Sequence, residues 1–330
     1  MFNNRFNAII HNFILSNGFL VIMIVVFIGF SLGSRSFLTL TNILSLMHAS
    51  SPLLVLSSGL AMVVITHNLD ISVGSVAFLS TVIGSVLYVR YHFFPLMAIL
   101  MILLVGIGAG ALNGFLVTKV KINSFIVTLG TMMALRGIGL QIVKGRTISI
   151  PSNLSEIGGF RIGPIYFDIF FSLIFIFFLY LLHTRTSFGR YIMAIGSDPE
   201  VSKRMSIRVE KITFITFILS GFFASLGGFL LVLQLGVVSL RMGIGTEFVA
   251  LAAIVIGGIS LFGGEGSLIP GLLCGVYTLN IIDSGLYHLG ASPYVYPFVR
   301  GGLIFLAMYV DSLRSAIRMG RKVKISRASE

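Results

Sequence analysis

The stretch Phe94–Thr118, FPLMAILMILLVGIGAGALNGFLVT, carries no charged side chain and a single amide, Asn113. As a helix it would be roughly 37 Å long, more than the ~30 Å hydrocarbon core of a bilayer. A strand is excluded at that depth, because open sheet edges leave backbone groups unpaired in lipid. Working outward, comparable apolar segments recur at about 13–32, 51–66, 71–89, 122–143, 165–183, 212–234, 247–260, 267–287 and 296–313. The composition agrees: 56% of the 330 residues are hydrophobic and 10% charged, far below the ~25% charge of soluble domains. The expected fold is an all-α membrane protein of about ten transmembrane helices, forming one polytopic domain over 1–330.

A net charge of +12 on a soluble chain would suggest nucleic acid. Here no basic motif interleaves with exposed aromatics, and Lys and Arg accumulating in cytoplasmic loops account for it better. With an even number of spans and the N-terminus inside, the inside segments hold Arg5, Lys119, Lys121, the loop 184–211 and the tail 314–330. The loop carries Arg185, Arg190, Lys203, Arg204, Arg208 and Lys211; the tail carries Arg314, Arg318, Arg321, Lys322, Lys324 and Arg327. Arg35, Arg90, Lys144, Arg146, Arg161 and Arg241 fall outside, while Arg136 and Arg300 lie in or beside spans. The bias places both termini in the cytoplasm. The apolar run from about 13 to 32 is longer than a signal-peptide core and reads as an uncleaved first span. The single Cys274 excludes an intrachain disulfide and reads as a small packed side chain.

Spans two to five and seven to ten form two four-span blocks offset by five, and an odd offset inverts one block relative to the other. Inverted repeats of this kind flank the solute path in many transporters. Gly106, Gly110 and Gly114 recur every four residues, as do Gly271 and Gly275, a spacing that lets helix backbones approach closely in lipid. Phe262-Gly263-Gly264-Glu265-Gly266-Ser267 reads as a tight inside turn that needs positive φ.

No G-x-x-x-x-G-K-[ST] occurs, so ATP-driven work would need another polypeptide. The six histidines show no metal-binding spacing and no catalytic constellation emerges. The sharpest local signal is Ser197-Asp198-Pro199-Glu200 in the loop 184–211. Asp198 suits an N-cap, Pro199 the first helical position and Glu200 the positive end of the dipole. A helix over about 199–206 is expected outside the membrane, with Asp198, Pro199, Glu200, Lys203 and Arg204 as its docking residues for a cytoplasmic partner. Ionisable groups at membrane depth are costly and usually face a cavity or a partner. Asp70, Arg136, Glu247 and Asp283, with Ser72, Asn113 and Asn123, are the candidate translocation path for a solute needing hydrogen bonds and aromatic walls. An ion-gradient transporter would instead use a titratable mid-membrane pair, for which Asp283 with Arg136 is the best available.

Four linked stretches resemble the permease subunits of bacterial ABC importers for ribose, related monosaccharides and autoinducer-2-type signals. They are Gly59–Ser75 (GLAMVVITHNLDISVGS), Asn113–Val117 (NGFLV) continuing through Asn123–Gly130 (NSFIVTLG) to Arg136-Gly137, Thr186–Gly196 (TSFGRYIMAIG) and Ala252–Ser267 (AAIVIGGISLFGGEGS). The resemblance covers about 50–313. It implies ten-span permeases paired as a homodimer or with a paralogue in the inner membrane. It also implies two ATP-binding cassette subunits that hold ATP and Mg, an extracytoplasmic solute-binding protein, and coupling to the ATPase through the loop after the sixth span. It implies no cofactor in this chain. Three departures bear on the solute: His67-Asn68 stands where the family has Gly-Gly, Val249 where it usually has Asp, and Asp283 where Asn is more usual. An ABC permease for nucleosides or amino acids would share this architecture.

Overall fold

In a computed structural model, residues 18–292, 294–306, 308–309 and 312 are described, with backbone only at 152–155. Arg5, the start of the first expected span and the basic tail 314–330 lie outside the described residues. The helices are α1 (Gly18–Gly33), α2 (Leu40–Ile65), α3 (Val73–Val89), α4 (Pro95–Thr118), α5 (Ser124–Val143), α6 (Ser152–Gly159) and α7 (Phe167–Arg185). They continue with α8 (Ser187–Ser197), α9 (Pro199–Arg204), α10 (Val209–Leu235), α11 (Thr246–Ile256), α12 (Leu273–His288) and α13 (Val295–Leu306). Two short ladders, β1 (Ile148–Ser149) with β4 (Val237–Val238) and β2 (Arg161–Ile162) with β3 (Ile165–Tyr166), close one end of the bundle.

Six helices are long and apolar enough to cross a membrane: α2, α4, α5, α7, α10 and the run Leu268–His288 that contains α12. Four apolar helices are shorter: α1, α3, α11 and α13. The protein is therefore an all-α membrane protein, but not one of ten equal spans. α11 has 11 residues and reaches only about 16 Å.

The second expected span, 51–66, is in fact the 26-residue α2, which starts eleven residues earlier. Pro52 marks a start in sequence because it lacks an N–H, which leaves the carbonyl four residues back without its helical partner. That carbonyl belongs to His48, and the Gln234 side chain of α10 donates to it at 2.8 Å. The helix continues through the proline because a distant side chain replaces the missing bond.

Gly59 lies against Phe223, and Gly227 against Pro52 and Leu56, so α2 and α10 run antiparallel at the centre. α4 covers α10 in the same way. A Cβ on Gly106, Gly110 or Gly114 would overlap Gly221, Phe217 or Phe214, respectively. The four-residue glycine spacing thus marks a close helix crossing, as expected. Gly271 and Gly275 meet Gly257 and Ala253 likewise.

Each central helix is followed by a non-helical stretch and then a short helix: α2, 66–72, α3; and α10, 236–245, α11. The starts of the two short helices touch, Gly74 against the Gly243 carbonyl. His67 meets Gly263, beyond the far end of α11. The segment 67–74 therefore climbs alongside α11 into the bundle. Irregular backbone is tolerated at such depth only where protein surrounds it, and Asp70 is 1% exposed. The Leu69 amide donates to Ser124 Oγ at 3.2 Å, and its carbonyl accepts from Thr128 Oγ1 at 3.4 Å.

Candidate functional site

At the end of the bundle where α2 stops and α10 starts, the loop 184–211 folds into two helices rather than one. α8 is the unexpected one. Its apolar side, Ile192 and Ile195 at helical spacing, is buried. Gly196 packs on the Ile65 carbonyl and against Gly264. α9 begins as expected. Asp198 is extended, and its carboxylate accepts from the Glu200 and Val201 amides at 2.9 and 3.0 Å, with Pro199 in the first turn. The helix ends at Arg204, two residues before the expected end. Ser206 turns left-handed at φ 61 and its amide bonds the Lys203 carbonyl.

Lys203 donates to Glu200 at 2.9 Å, and this hydrogen bond and charge raise the Lys203 ammonium pKa above its ordinary value. Both are exposed, so the pair adds little stability. Val201 and Met205 project apolar surface among these charges, 48% and 70% exposed. Of the five sequence-selected residues, Pro199, Glu200, Lys203 and Arg204 thus lie on one exposed six-residue helix, and Asp198 caps it.

The glycine turn expected at 263–266 is present. Gly263, Gly264 and Gly266 have φ of 78, 72 and 134°. The Gly264 amide donates to the Ile65 carbonyl at 2.9 Å, and a Cβ on Gly264 would strike Ser197. This turn lies between α9's root and α11.

α11 in turn borders a cavity of about 360 Å³ between α2, α10, α11, α12 and α13, at the lower end of the size range of small-molecule sites. Its charged lining residues are Asp283 and Arg300, with Asn280, Thr246, Val249 and Met242 beside them. Arg300 grips Asp283 by two bonds, Nε to Oδ1 at 3.0 Å and Nη2 to Oδ2 at 2.6 Å. No Phe, Tyr or His lines it among the described residues, contrary to the expected aromatic walls. Two of the three departures from the family pattern, Val249 and Asp283, face this one cavity.

The other selected residues do not join Asp283. Asp70, Ser72 and Asn113 form a buried network with Ser220 of α10, a residue that sequence did not single out. Asp70 accepts from Ser72 N and Oγ (3.0 and 2.6 Å) and from Ser220 Oγ (2.8 Å). Ser72 Oγ in turn accepts from Asn113 Nδ2 at 2.9 Å. Asn123 caps α5 by accepting from the Phe125 amide at 2.9 Å. Arg136 donates to the Met242 carbonyl at 2.7 Å and lies 4.4 Å over the Phe78 ring. Glu247 accepts from the Gly245 amide at 3.3 Å and attracts Arg136 electrostatically. The pair expected for an ion-gradient mechanism, Asp283 with Arg136, is not formed: Arg300, one helix later, takes Asp283 instead.

A second polar cluster escaped the sequence. At the opposite end from α9, Asp168 of α7 pairs with His48 Nδ1 at 2.8 Å and accepts from Gln234, while Tyr166 stacks on His48 with centroids 3.9 Å apart. Nothing local in the sequence joins these residues; only Asp168 beside an apolar run could have prompted a search.

The family model described as branched-chain amino acid transport system / permease component matches residues 42–308. The chain is 32% identical to the ribose import permease protein of Escherichia coli strain K12, covering 84% of this chain and 88% of that one. It is 30% identical to the galactose/methyl galactoside import permease protein of Salmonella typhimurium strain LT2, covering 91% and 94%. It is 34% identical to the autoinducer 2 import system permease protein of Yersinia enterocolitica, covering 88% and 80%. No solved structure matches. A model that matches 267 of the 330 residues shows the family, and the chain belongs to the branched-chain amino acid transport system / permease component family.

Proposed function

We propose that the chain is the permease subunit of an ATP-binding cassette importer for a sugar-like solute, set in the bacterial inner membrane with both termini cytoplasmic. The observation that carries this reading is α9, a capped helix exposed at its tip and anchored at its root. In this reading the ten apolar helices each cross or enter the bilayer, and the α2–α5 and α10–α13 blocks are inverted repeats. The pattern of long helix, break and short helix in both blocks supports that, as does the contact between the two short helices.

A separate ATPase subunit holds ATP and Mg and grips α9 through Val201, Met205 and the charges of Glu200, Lys203 and Arg204. Its motion passes from Ser197 to Gly264, then along the glycine turn to α11 and the cavity. The states exchange because the partner binds them with different affinity. An extracytoplasmic binding protein delivers the solute, and a second permease copy or a paralogue completes the assembly.

Asp283, Asn280 and Arg300 offer acceptors and donors suited to hydroxyl groups, and the relatives are named for import of ribose, galactose or methyl galactoside, and autoinducer 2. Among the described residues the cavity lacks aromatic platforms, which favours passage over tight binding. Asp70, Ser72 and Asn113 border the path only if the break at 66–72 opens; Asn123, Arg136 and Glu247 support its walls.

The test is disulfide trapping. Cysteines at Val201 or Met205 should cross-link to the co-purified ATPase subunit, and a cysteine at Ile157 at the opposite end should not. Absence of any P-loop ATPase in the purified complex, with uptake driven by an ion gradient alone, contradicts the reading.

A further inference from the structure

A groove of about 790 Å³ opens beside α9, between the last turn of α4 and the first turns of α10. Its apolar wall is Phe115 and Phe214, each on a helix long and apolar enough to cross a membrane. Its mouth is ringed by Lys119, Lys203, Arg208 and Lys211. The one acid in the lining, Glu210, is already held by Lys121 at 2.5 Å and Lys119 at 3.6 Å. Among the described residues Arg208 and Lys211 have no ion pair, although both are exposed at the start of the 27-residue α10. Arg208 is the N-cap of that helix and its side chain makes no capping bond, so the positive end of the dipole also faces this place.

Depth decides what fits. On the proposed permease reading, which sets these helices in the bilayer, Phe115 and Phe214 lie about one turn deeper than Lys119 and Lys211 along α4 and α10. A soluble partner's acidic segment reaches the cations but not the apolar wall. A free phosphate likewise satisfies the cations only. An anionic phospholipid satisfies both: its phosphate takes Arg208 and Lys211, and an acyl chain lies along Phe115 and Phe214. Basic recesses between transmembrane helices have this chemistry. We infer that the groove between α4 and α10 is a binding site for one anionic phospholipid, beside the helix that meets the ATPase. The site does not depend on the identity of the solute.

Native mass spectrometry of the purified full chain tests it, with phosphatidylglycerol and phosphatidylcholine of matched acyl chains. Phosphatidylglycerol should be retained about tenfold more than phosphatidylcholine, taking a few-fold for each freed cation. The double variant Arg208→Gln/Lys211→Gln should lose that preference at an unchanged melting temperature. Arg208→Lys/Lys211→Arg, which keeps both charges, should retain it and guards against a folding defect. Equal retention of the two lipids overturns the inference, as does an unchanged preference in the Gln variant. So does competition by inorganic phosphate at equal concentration, which marks a free-anion site. Complete displacement by the ATPase subunit assigns the groove to protein docking and overturns it as well.

Discussion

The two irregular stretches inside the bundle, 66–72 and 236–245, occupy related places and are held in opposite ways. The first is fixed by side chains. Asp70 gathers Ser72 and Ser220, and Ser124 and Thr128 tie the backbone of Leu69. The second relies on glycine turns and backbone pairing, with Val237–Val238 laddered to Ile148–Ser149. Gly236, Gly243 and Gly245 adopt φ of 66, 77 and 77°, Gly243 meets Gly74 backbone to backbone, and Arg136 ties the Met242 carbonyl. Residues 242–246 border the cavity, whereas Asp70 and its partners do not. A stretch locked by a buried polar network resists change as a unit, while a glycine-built stretch beside a cavity can rearrange at low steric cost. The comparison assigns anchoring to the first and movement to the second.

Deleting side chains should therefore break the first stretch and adding them should break the second. The largest effect is expected from Asp70→Ala, which leaves two buried hydroxyls and an amide without their acceptor. A loss of about 3 kcal/mol or more follows at ~1–3 kcal/mol for each unsatisfied group, and the melting temperature in detergent measures it. Ser220→Ala should lose about 1 kcal/mol at the same site; if both variants melt like the parent, the first stretch is not the anchor.

Gly243→Ala comes next. Left-handed backbone costs a Cβ-bearing residue about 1–2 kcal/mol, and the added carbon also meets Gly74. Thermal stability should fall by about 2 kcal/mol, and solute uptake should fall further than the same loss of stability causes elsewhere in the chain. Uptake that tracks stability alone would remove movement from the second stretch. Arg136→Gln should lose about 1–2 kcal/mol through the Met242 bond and the contact with Phe78, again read by melting.

The smallest effect sharpens the comparison from the other side. His67 sits at φ 60, a left-handed position that favours glycine. His67→Gly should be neutral or stabilising by up to about 1 kcal/mol. Strong destabilisation would mean that the imidazole, rather than the Asp70 network, holds the entry to the first stretch.

What could be read in the sequence follows the same division between local and distant causes. The Asp198 cap, the glycine turn at 263–266 and the Gly106–Gly114 row are local chemistry, and each appears where expected. α2 runs eleven residues ahead of the expected span, and the bond that carries it through Pro52 comes from Gln234, far along the chain. The short apolar face of α8, Ile192 and Ile195, becomes meaningful only against the core. Asp70 was identifiable as costly at depth, but Ser220 was one serine among many in apolar runs. Asp283 and Arg136 both lie within expected spans, but the choice of Arg300 depends on how α12 and α13 pack. Polar residues at depth were thus recognisable singly, and their partners were not.

If a partner ATPase moves the cavity by gripping α9 through its cap and the glycine turn beneath it, solute uptake depends on that cap. The most direct measurement is ATP-driven solute uptake by proteoliposomes holding the permease, its ATPase subunit and its binding protein, with Asp198→Ala/Pro199→Gly compared against the parent. The cap change costs only about 1 kcal/mol of local stability, so the variant should insert and melt normally. Uptake is predicted to fall at least about tenfold, as a helix that frays can no longer transmit the motion. Uptake at the parental rate, in a variant whose α9 has lost its cap, would contradict the account.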